Sequence, residues 1–183
     1  MTSIANQTRW PSSAAAKSGR RQSSLGNATA RLLVLGAKQV GKSAAIVRFT
    51  TGRFIQNYCP STQDWLYKHP IEHQKQEEEK LLETTKPIST LELLELEDLE
   101  QPELGEQSIR STHPTSAEKL HWADAFVVIY SLTSSSTFDK AKSYLDLVKL
   151  ASHQQQPNGL ASQKRTTVPI LLLANKIDLG AQA

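Results

Sequence analysis

An eight-residue segment between an apolar strand pattern and a helical pattern most restricts what this chain can fold into. The segment, GAKQVGKS, follows RLLVL and precedes AAIVRF. Its glycines let successive backbone N–H groups face phosphate oxygens at the positive end of a helix. A lysine there can reach the outer phosphates, and the following serine can give its hydroxyl to Mg²⁺. The predicted phosphate-binding loop consists of Gly36, Ala37, Lys38, Gln39, Val40, Gly41, Lys42 and Ser43.

Strand and helix patterns alternate after residue 30. Buried strands are predicted at RLLVLG, AFVVIYSL and VPILLLANKID, and helices at KSAAIVRFTTG and SSSTFDKAKSYLDLVKLA. The first helix should end at Gly52. The second should bury one stripe, formed by Phe138, Ala141, Tyr144, Leu145 and Val148.

The segment between these elements is less regular. DWLYKHPIEH predicts a strand at a sheet edge, because Pro70 cannot donate to a ladder. ISTLELLEL suits a returning strand or a helix, and QKQEEEKLLETTKP predicts a charged surface insert. Strands separated by crossovers predict an α/β domain with a mainly parallel central sheet and helices on both of its faces.

The basic character of the chain is concentrated at its N-terminus. The whole chain carries +3, and residues 1–30 carry four basic residues without an acid, so that residues 31–183 carry −1. Residues 1–30 are rich in Ser and Ala and poor in large apolar side chains, which predicts a disordered basic arm. The alternatives are an organelle transit peptide and a weak electrostatic contact with anionic lipid or nucleic acid. The segment has no pattern of aromatic residues interleaved with the basic ones, and no nucleic-acid partner is expected.

Several classes of protein are disfavoured by composition. The apolar runs are far shorter than the roughly 18 residues that cross a bilayer, and the N-terminus lacks the apolar core of a secretory signal. Cys59 is the single cysteine, which excludes a disulfide within the chain and indicates a reducing compartment such as the cytoplasm. His113 and His121 have no ligand set around them in sequence that would indicate zinc.

A second polar motif, NKID, follows the last predicted strand. The carboxylate of Asp178 can accept hydrogen bonds from the N1–H and the 2-amino group of guanine, a donor pair that adenine lacks. The Lys176 stem can cover the face of the base, and Asn175 can connect this turn to the phosphate loop. Together, the two motifs at strand ends predict a guanine nucleotide site.

These motifs make the chain resemble the Ras-like small GTPases. The resemblance rests on GAKQVGKS, VRFTTGRFIQNYCPSTQD, WADAFVVIYSL with the following SSTFDKAKSYLDL, and VPILLLANKIDL, and it covers most of residues 31–180. Details such as GKSAAIVRFTTGRFI and HWADAFVVIY are most similar to the branch that includes the Ras-related estrogen-regulated growth inhibitor and its Ras-like relatives.

The resemblance implies a Mg²⁺-dependent site for GTP or GDP and a switch segment after the first helix. YCPST corresponds to the family's switch I, with Ser61 in the place of the metal-binding threonine, eighteen residues after Ser43. Thr62 is the alternative ligand. Tyr58 and Pro60 would lie at the nucleotide, and residues 58–66 would form the edge that binds effector or regulatory proteins.

The chain departs from the family at the catalytic positions. The family's D-x-x-G-Q is replaced by ELEDLEQ, with Glu95 in the place of the aspartate, Asp98 in that of the glycine and Leu99 in that of the water-orienting glutamine. Gln101 lies two residues too late, and Lys38 stands where the family usually has a glycine. Slow or absent hydrolysis is therefore expected, unless Lys38 supplies positive charge to the γ-phosphate in cis.

The expected protein is thus a monomeric small GTPase that acts as a signalling switch, with impaired catalysis. The alternatives are a pseudo-GTPase or nucleotide-dependent scaffold without useful turnover, and an ATP-using P-loop protein. The sequence stops at DLGAQA, before the last strand and helix of the family. An uncovered apolar sheet face and a weakened affinity for nucleotide are therefore expected. No lipid anchor is expected on this chain.

Overall fold

Six strands and four helices are described by a computed structural model, which covers residues 7–9, 28–54, 63–71, 88–96, 116–154 and 168–180. The strands are β1 (Gln7–Arg9), β2 (Ala28–Leu35), β3 (Trp65–Pro70), β4 (Ile88–Glu95), β5 (Ala125–Ser131) and β6 (Ile170–Asn175). The helices are α1 (Lys42–Thr51), α2 (Ser116–Trp122), α3 (Ser135–Gln154) and α4 (Ile177–Gly180).

The strands form one mixed sheet in the order β1-β3-β4-β2-β5-β6. Strands β4, β2, β5 and β6 are parallel, whereas β3 is antiparallel to both of its neighbours. The predicted mainly parallel sheet is confirmed. The strand alternative for ISTLELLEL is also confirmed, because β4 pairs with β2 over most of its length.

Side chains alternate between the two faces of β2 and β4 and so build two cores. Leu33 and Leu94 point to the face that α2 and α3 cover, and Val34 and Leu93 point to the face that α1 covers. The α3-side core consists of Leu33, Leu35, Leu66, Leu94, Leu96, Leu120, Phe126, Val128, Ala141, Tyr144 and Val148. The α1-side core consists of Val34, Val40, Ile46, Val47, Tyr67, Leu91, Leu93 and Ile129. Helices on both faces are therefore confirmed.

The helix predictions hold with one exception. Helix α1 ends at Gly52, which has φ 69° and donates its N–H to the carbonyl of Arg48. In α3, Ala141, Tyr144 and Val148 are buried as predicted, but Phe138 is exposed and its ring contacts that of Tyr130. Phe138 lies in the first turn of α3, so the buried stripe begins one turn later than predicted.

The structure describes a short strand within residues 1–30, the segment that is predicted to be a basic arm. Strand β1 lies inside it, pairing with Trp65, Leu66 and Tyr67 of β3, and β2 begins at Ala28 rather than after residue 30. The predicted edge position of this strand is therefore wrong, since β3 lies between β1 and β4 in the sheet. Backbone pairing explains the difference, because an open strand edge can order a polar segment that has no core of its own.

Burial of the last strand is the prediction that the structure corrects. Strand β6 forms where VPILLLANKID predicts it, but Ile170, Leu171 and Leu172 are exposed, Leu171 to 56%. Among the described strands, β6 lies at the end of the order, next to β5. A continuous apolar run therefore indicates a strand here without distinguishing an edge strand from a central one.

Several predicted residues lie outside the described part of the chain. They are Tyr58, Cys59, Pro60, Ser61, Thr62, Asp98, Leu99, Gln101 and His113, together with the charged insert after residue 73. In the part of the chain that the structure describes, no helix combines the length and the apolar character needed to cross a membrane.

Candidate nucleotide-binding site

The predicted phosphate loop lies at the carboxyl end of β2 and leads directly into α1. Its backbone includes three residues with positive φ: Gly36 at 153°, Gln39 at 65° and Gly41 at 95°. A Cβ atom at Gly36 would overlap the carbonyl oxygen of Ile129, and one at Gly41 would overlap the side-chain amide of Asn175. Both glycines are thus required by close approach as well as by backbone conformation.

Lys42 lies across this loop. Its side chain is buried, and its Nζ donates to the carbonyl oxygens of Gly36, at 2.9 Å, and Ala37, at 3.2 Å. A buried ammonium group is costly unless it is hydrogen-bonded, and here the loop's own carbonyls meet that need. The positive charge is therefore held at the loop, next to the N-terminus of α1, where an anion is favoured.

Replacing Gly41 with alanine should test how tightly the loop is packed. We expect Gly41→Ala to lower the free energy of unfolding by about 2–3 kcal/mol, since the left-handed backbone costs about 1–2 kcal/mol and Asn175 must also move. Gly52→Ala is the matched control. Gly52 also has positive φ, but a Cβ atom there would have no neighbouring atom within 4 Å, so only the backbone cost should remain. Urea unfolding of both variants measures the difference, and equal losses would contradict a packed loop.

Ser43, the first residue after Lys42, is joined to the end of β4. Its Oγ donates to Oε1 of Glu95 at 2.6 Å. Side chains alternate between the two faces of β4, so Glu95 lies on the same face as Leu91 and Leu93, which belong to the α1-side core. Glu95 therefore faces α1, and it is only 2% exposed. The carboxylate that the sequence resemblance predicts in the family's aspartate position therefore contacts the serine that is predicted to bind the metal.

A tyrosine completes this buried cluster. The hydroxyl of Tyr67, on β3, donates to Oε2 of Glu95 at 3.0 Å. Burial raises the pKa of Tyr67. The nearby charge of Glu95 and the hydrogen bond between the two side chains raise this pKa further. Tyr67 therefore remains a protonated donor at physiological pH.

The NKID turn approaches the loop from β6. Asn175 Nδ2 donates to the carbonyl oxygen of Val40 at 2.8 Å, so that the predicted connection between the two motifs is present. The backbone turns sharply after Asn175, with Lys176 at φ 63°. Asp178 follows on the first turn of α4 with an exposed side chain.

The structure thus brings together most of the described site residues. The loop, Ser43 and the NKID turn meet at the carboxyl edge of the parallel strands, where ligands bind in open α/β sheets. Lys38 is exposed on the turn of the loop. Among the described residues, no group of three or more His, Cys, Asp or Glu side chains could hold a metal. Mg²⁺, however, usually takes one or two protein oxygens and substrate phosphates instead of a protein cage.

Besides the contact between Ser43 and Glu95, two contacts were not predicted from the sequence. One is the hydrogen bond between Tyr67 and Glu95. Its only signal in the sequence is a tyrosine at a position of β3 whose side chain faces the core. The other is an ion pair between Lys119 Nζ on α2 and Asp64 Oδ2 before β3, at 2.6 Å and largely shielded from solvent. It connects the described end of the predicted effector edge to α2.

Comparison with known proteins finds relatives that are named as Ras-like or Ras-related. The human Ras-like protein family member 12 is 34% identical over 150 residues, which are 81% of this chain and 44% of that protein. The bovine Ras-related and estrogen-regulated growth inhibitor-like protein is 32% identical over 149 residues, 81% of this chain and 60% of that protein. The Ras-like protein rasU of Dictyostelium discoideum is 31% identical over 156 residues, 84% of this chain and 56% of that protein.

The chain spans about half the length of the curated relatives that it matches. No protein-family model matches it. The phosphate loop at the end of β2, the mainly parallel sheet and the similarity over four fifths of the chain nevertheless agree with one another. The chain is therefore similar to Ras-like proteins over about four fifths of its length.

Proposed function

We propose that this protein binds GTP and GDP together with Mg²⁺ and acts as a signalling switch. The observation that carries the proposal is the hydrogen bond from Asn175 to Val40, because it holds the NKID turn against the phosphate loop. One motif recognises phosphate and the other recognises guanine, and only a nucleotide spans both. The Ras-like names of the relatives support the same class of ligand.

Each described residue has a role in this proposal. Backbone N–H groups of the loop would bind the phosphates, and Lys42 would turn its ammonium group from the carbonyls of Gly36 and Ala37 to phosphate oxygens. Asp178 would select guanine, and Lys176 would cover the base. Tyr58 and Pro60, by resemblance to the family, would complete the pocket beside the nucleotide.

The donor set fits Mg²⁺. Ser43 Oγ and the buried Glu95 Oε1 lie 2.6 Å apart at the N-terminus of α1. Both atoms are oxygens, the ligand atoms that Mg²⁺ prefers. Ser43 would hold the ion, Glu95 would support it from behind, and Ser61 or Thr62 would join from the switch segment. When bound, the ion would neutralise charge on the phosphate oxygens.

Calorimetry tests the binding proposal directly. GDP titrated into nucleotide-free protein with Mg²⁺ should release heat with one-to-one stoichiometry, whereas ADP should bind at least about 100-fold more weakly, since adenine lacks the donor pair that Asp178 requires. No heat with GDP would overturn the proposal. Equal binding of ADP would favour the ATP-using alternative.

We further propose that hydrolysis is slow. Asp98 in place of a glycine would crowd and repel the γ-phosphate, and Leu99 cannot orient a water molecule. The exposed Lys38 would obstruct an arginine from an activating partner, a group that is worth about 10³–10⁵ in rate. A pseudo-GTPase or scaffold without turnover is the second candidate, favoured by these same substitutions.

Restoring a glutamine should raise the rate. Single-turnover GTP hydrolysis by Leu99→Gln should exceed that of the wild type by about threefold to tenfold, the worth of one hydrogen bond to the attacking water. Leu99→Asn is the matched control, because it introduces the same amide one methylene short of that water. A wild type that cleaves GTP as fast as an ordinary Ras-like domain assayed beside it would contradict impaired catalysis.

The partner surface is proposed at residues 58–66. Its described end is held in place, since Asp64 is paired with Lys119 and Leu66 is buried in the α3-side core. Effector or regulatory proteins would read the nucleotide state through this edge. We also propose a monomer that works in the cytoplasm, where the single Cys59 would remain reduced.

A further inference from the structure

The carboxylate of Glu95 is held at both of its oxygens. Ser43 Oγ donates to Oε1 at 2.6 Å, and Tyr67 Oη donates to Oε2 at 3.0 Å. A glutamate has one more rotatable bond than an aspartate and therefore loses more side-chain freedom when it is ordered. The second hydrogen bond restricts the carboxylate to one orientation, with Oε1 toward the N-terminus of α1.

The sheet places Tyr67 for this contact. Tyr67 is directly opposite Leu93 on β4, so Glu95 is its diagonal neighbour on the same face. Such diagonal positions are within reach of an aromatic side chain. Tyr67 is itself buried in the α1-side core, so its ring is fixed by packing while its hydroxyl meets the carboxylate of the site.

We propose that Tyr67 is a positioning residue for Mg²⁺, acting through Glu95. It holds the carboxylate of Glu95 where this group supports Ser43, whose hydroxyl would bind the ion, although Tyr67 itself would touch neither ion nor nucleotide. Outer-shell hydrogen bonds of this kind orient ligands and affect metal affinity by about 10–100-fold. The inference rests on the proposed binding of Mg²⁺ and GDP.

The test separates the metal from the nucleotide. Release of N-methylanthraniloyl-GDP is followed by fluorescence at increasing concentrations of free Mg²⁺ and also in excess EDTA. For Tyr67→Phe we expect the Mg²⁺ concentration that half-suppresses release to rise about tenfold, while the release rate in EDTA stays within about twofold of the wild type. Tyr130→Phe is the matched control, because Tyr130 packs against Phe138 on the opposite face and should leave both quantities unchanged.

A coupled substitution checks that the effect passes through Glu95. In a Glu95→Gln background, Tyr67→Phe should change the Mg²⁺ midpoint by less than about twofold, since the charged acceptor is already absent. An equal tenfold effect in both backgrounds would overturn the inference. An unchanged Mg²⁺ midpoint in the single variant Tyr67→Phe would also overturn the inference, but it would leave the proposed function intact. Failure of the wild type to bind the labelled GDP would overturn both the inference and the proposed function.

If Tyr67→Phe does not fold, the wild type still provides a test. In protein with ¹³C-labelled tyrosine rings, the ring signals of Tyr67 in the GDP complex should shift when Mg²⁺ is added, whereas those of Tyr130 should not. A Tyr67 signal that does not respond to Mg²⁺ would overturn the inference.

Discussion

Methionine in place of Lys42 should lower the affinity of the protein for Mg²⁺ and GDP by about 100- to 1000-fold. Hydrogen bonds to a charged group are worth about 1.5–3 kcal/mol each, and the ammonium group would make more than one with the phosphates. Methionine retains most of the buried stem, so the packing of the side chain beneath the loop changes little. Calorimetric titration with GDP measures the loss.

Lys149→Met is the matched control for that substitution. Lys149 lies on an exposed face of α3 and pairs only loosely with Asp146, at 3.6 Å, so its loss should leave GDP binding unchanged. Circular dichroism and urea unfolding of both variants separate lost binding from lost folding. If Lys42→Met bound GDP within about tenfold of the wild type, Lys42 would not be the phosphate-binding lysine, and the interpretation of the loop would be wrong.

Asparagine in place of Asp178 should change which purine the protein prefers. The carboxylate can accept from both the N1–H and the 2-amino group of guanine, whereas an amide would direct its own N–H₂ at that amino group. We expect GDP affinity to fall about 100-fold. Xanthosine diphosphate, which carries an oxygen in place of the amino group, should bind the variant at least about tenfold more tightly than the wild type.

Competition against labelled GDP measures both changes. Asp146→Asn on α3 is the matched control, since it converts the same functional group on a surface remote from the loop. Because Asp178 is exposed on the short α4, its substitution should leave the free energy of unfolding within about 0.5 kcal/mol of the wild type. An unchanged preference for guanine would contradict the assignment of Asp178 and reopen the ATP-using alternative.

Local patterns predict much of the fold and part of the site. The loop is recognisable because its glycines, lysine and serine are adjacent in sequence, and their conformation depends on few distant residues. The bond between Asn175 and Val40 spans 135 residues, yet it is predictable, since parallel strands direct their carboxyl ends to one edge of the sheet.

Other features cannot be read from such patterns. The exposure of β6 depends on where the strand lies in the sheet, and an apolar run is compatible with either an edge or a central place. Strand β1 is unpredictable for a similar reason: Gln7–Arg9 has no strand pattern of its own and is ordered by the open backbone of β3.

Residue types at short spacing were thus sufficient to predict the glycine-rich loop, the NKID turn and the alternation of strands and helices. How Glu95 is held, in contrast, depends on the folded arrangement of the chain. Its two hydrogen-bond partners come from α1 and β3, and neither their distance from the carboxylate nor their burial follows from spacing along the chain. Packing of the sheet against α1 brings them together, and a buried charge is stable only where such donors meet it.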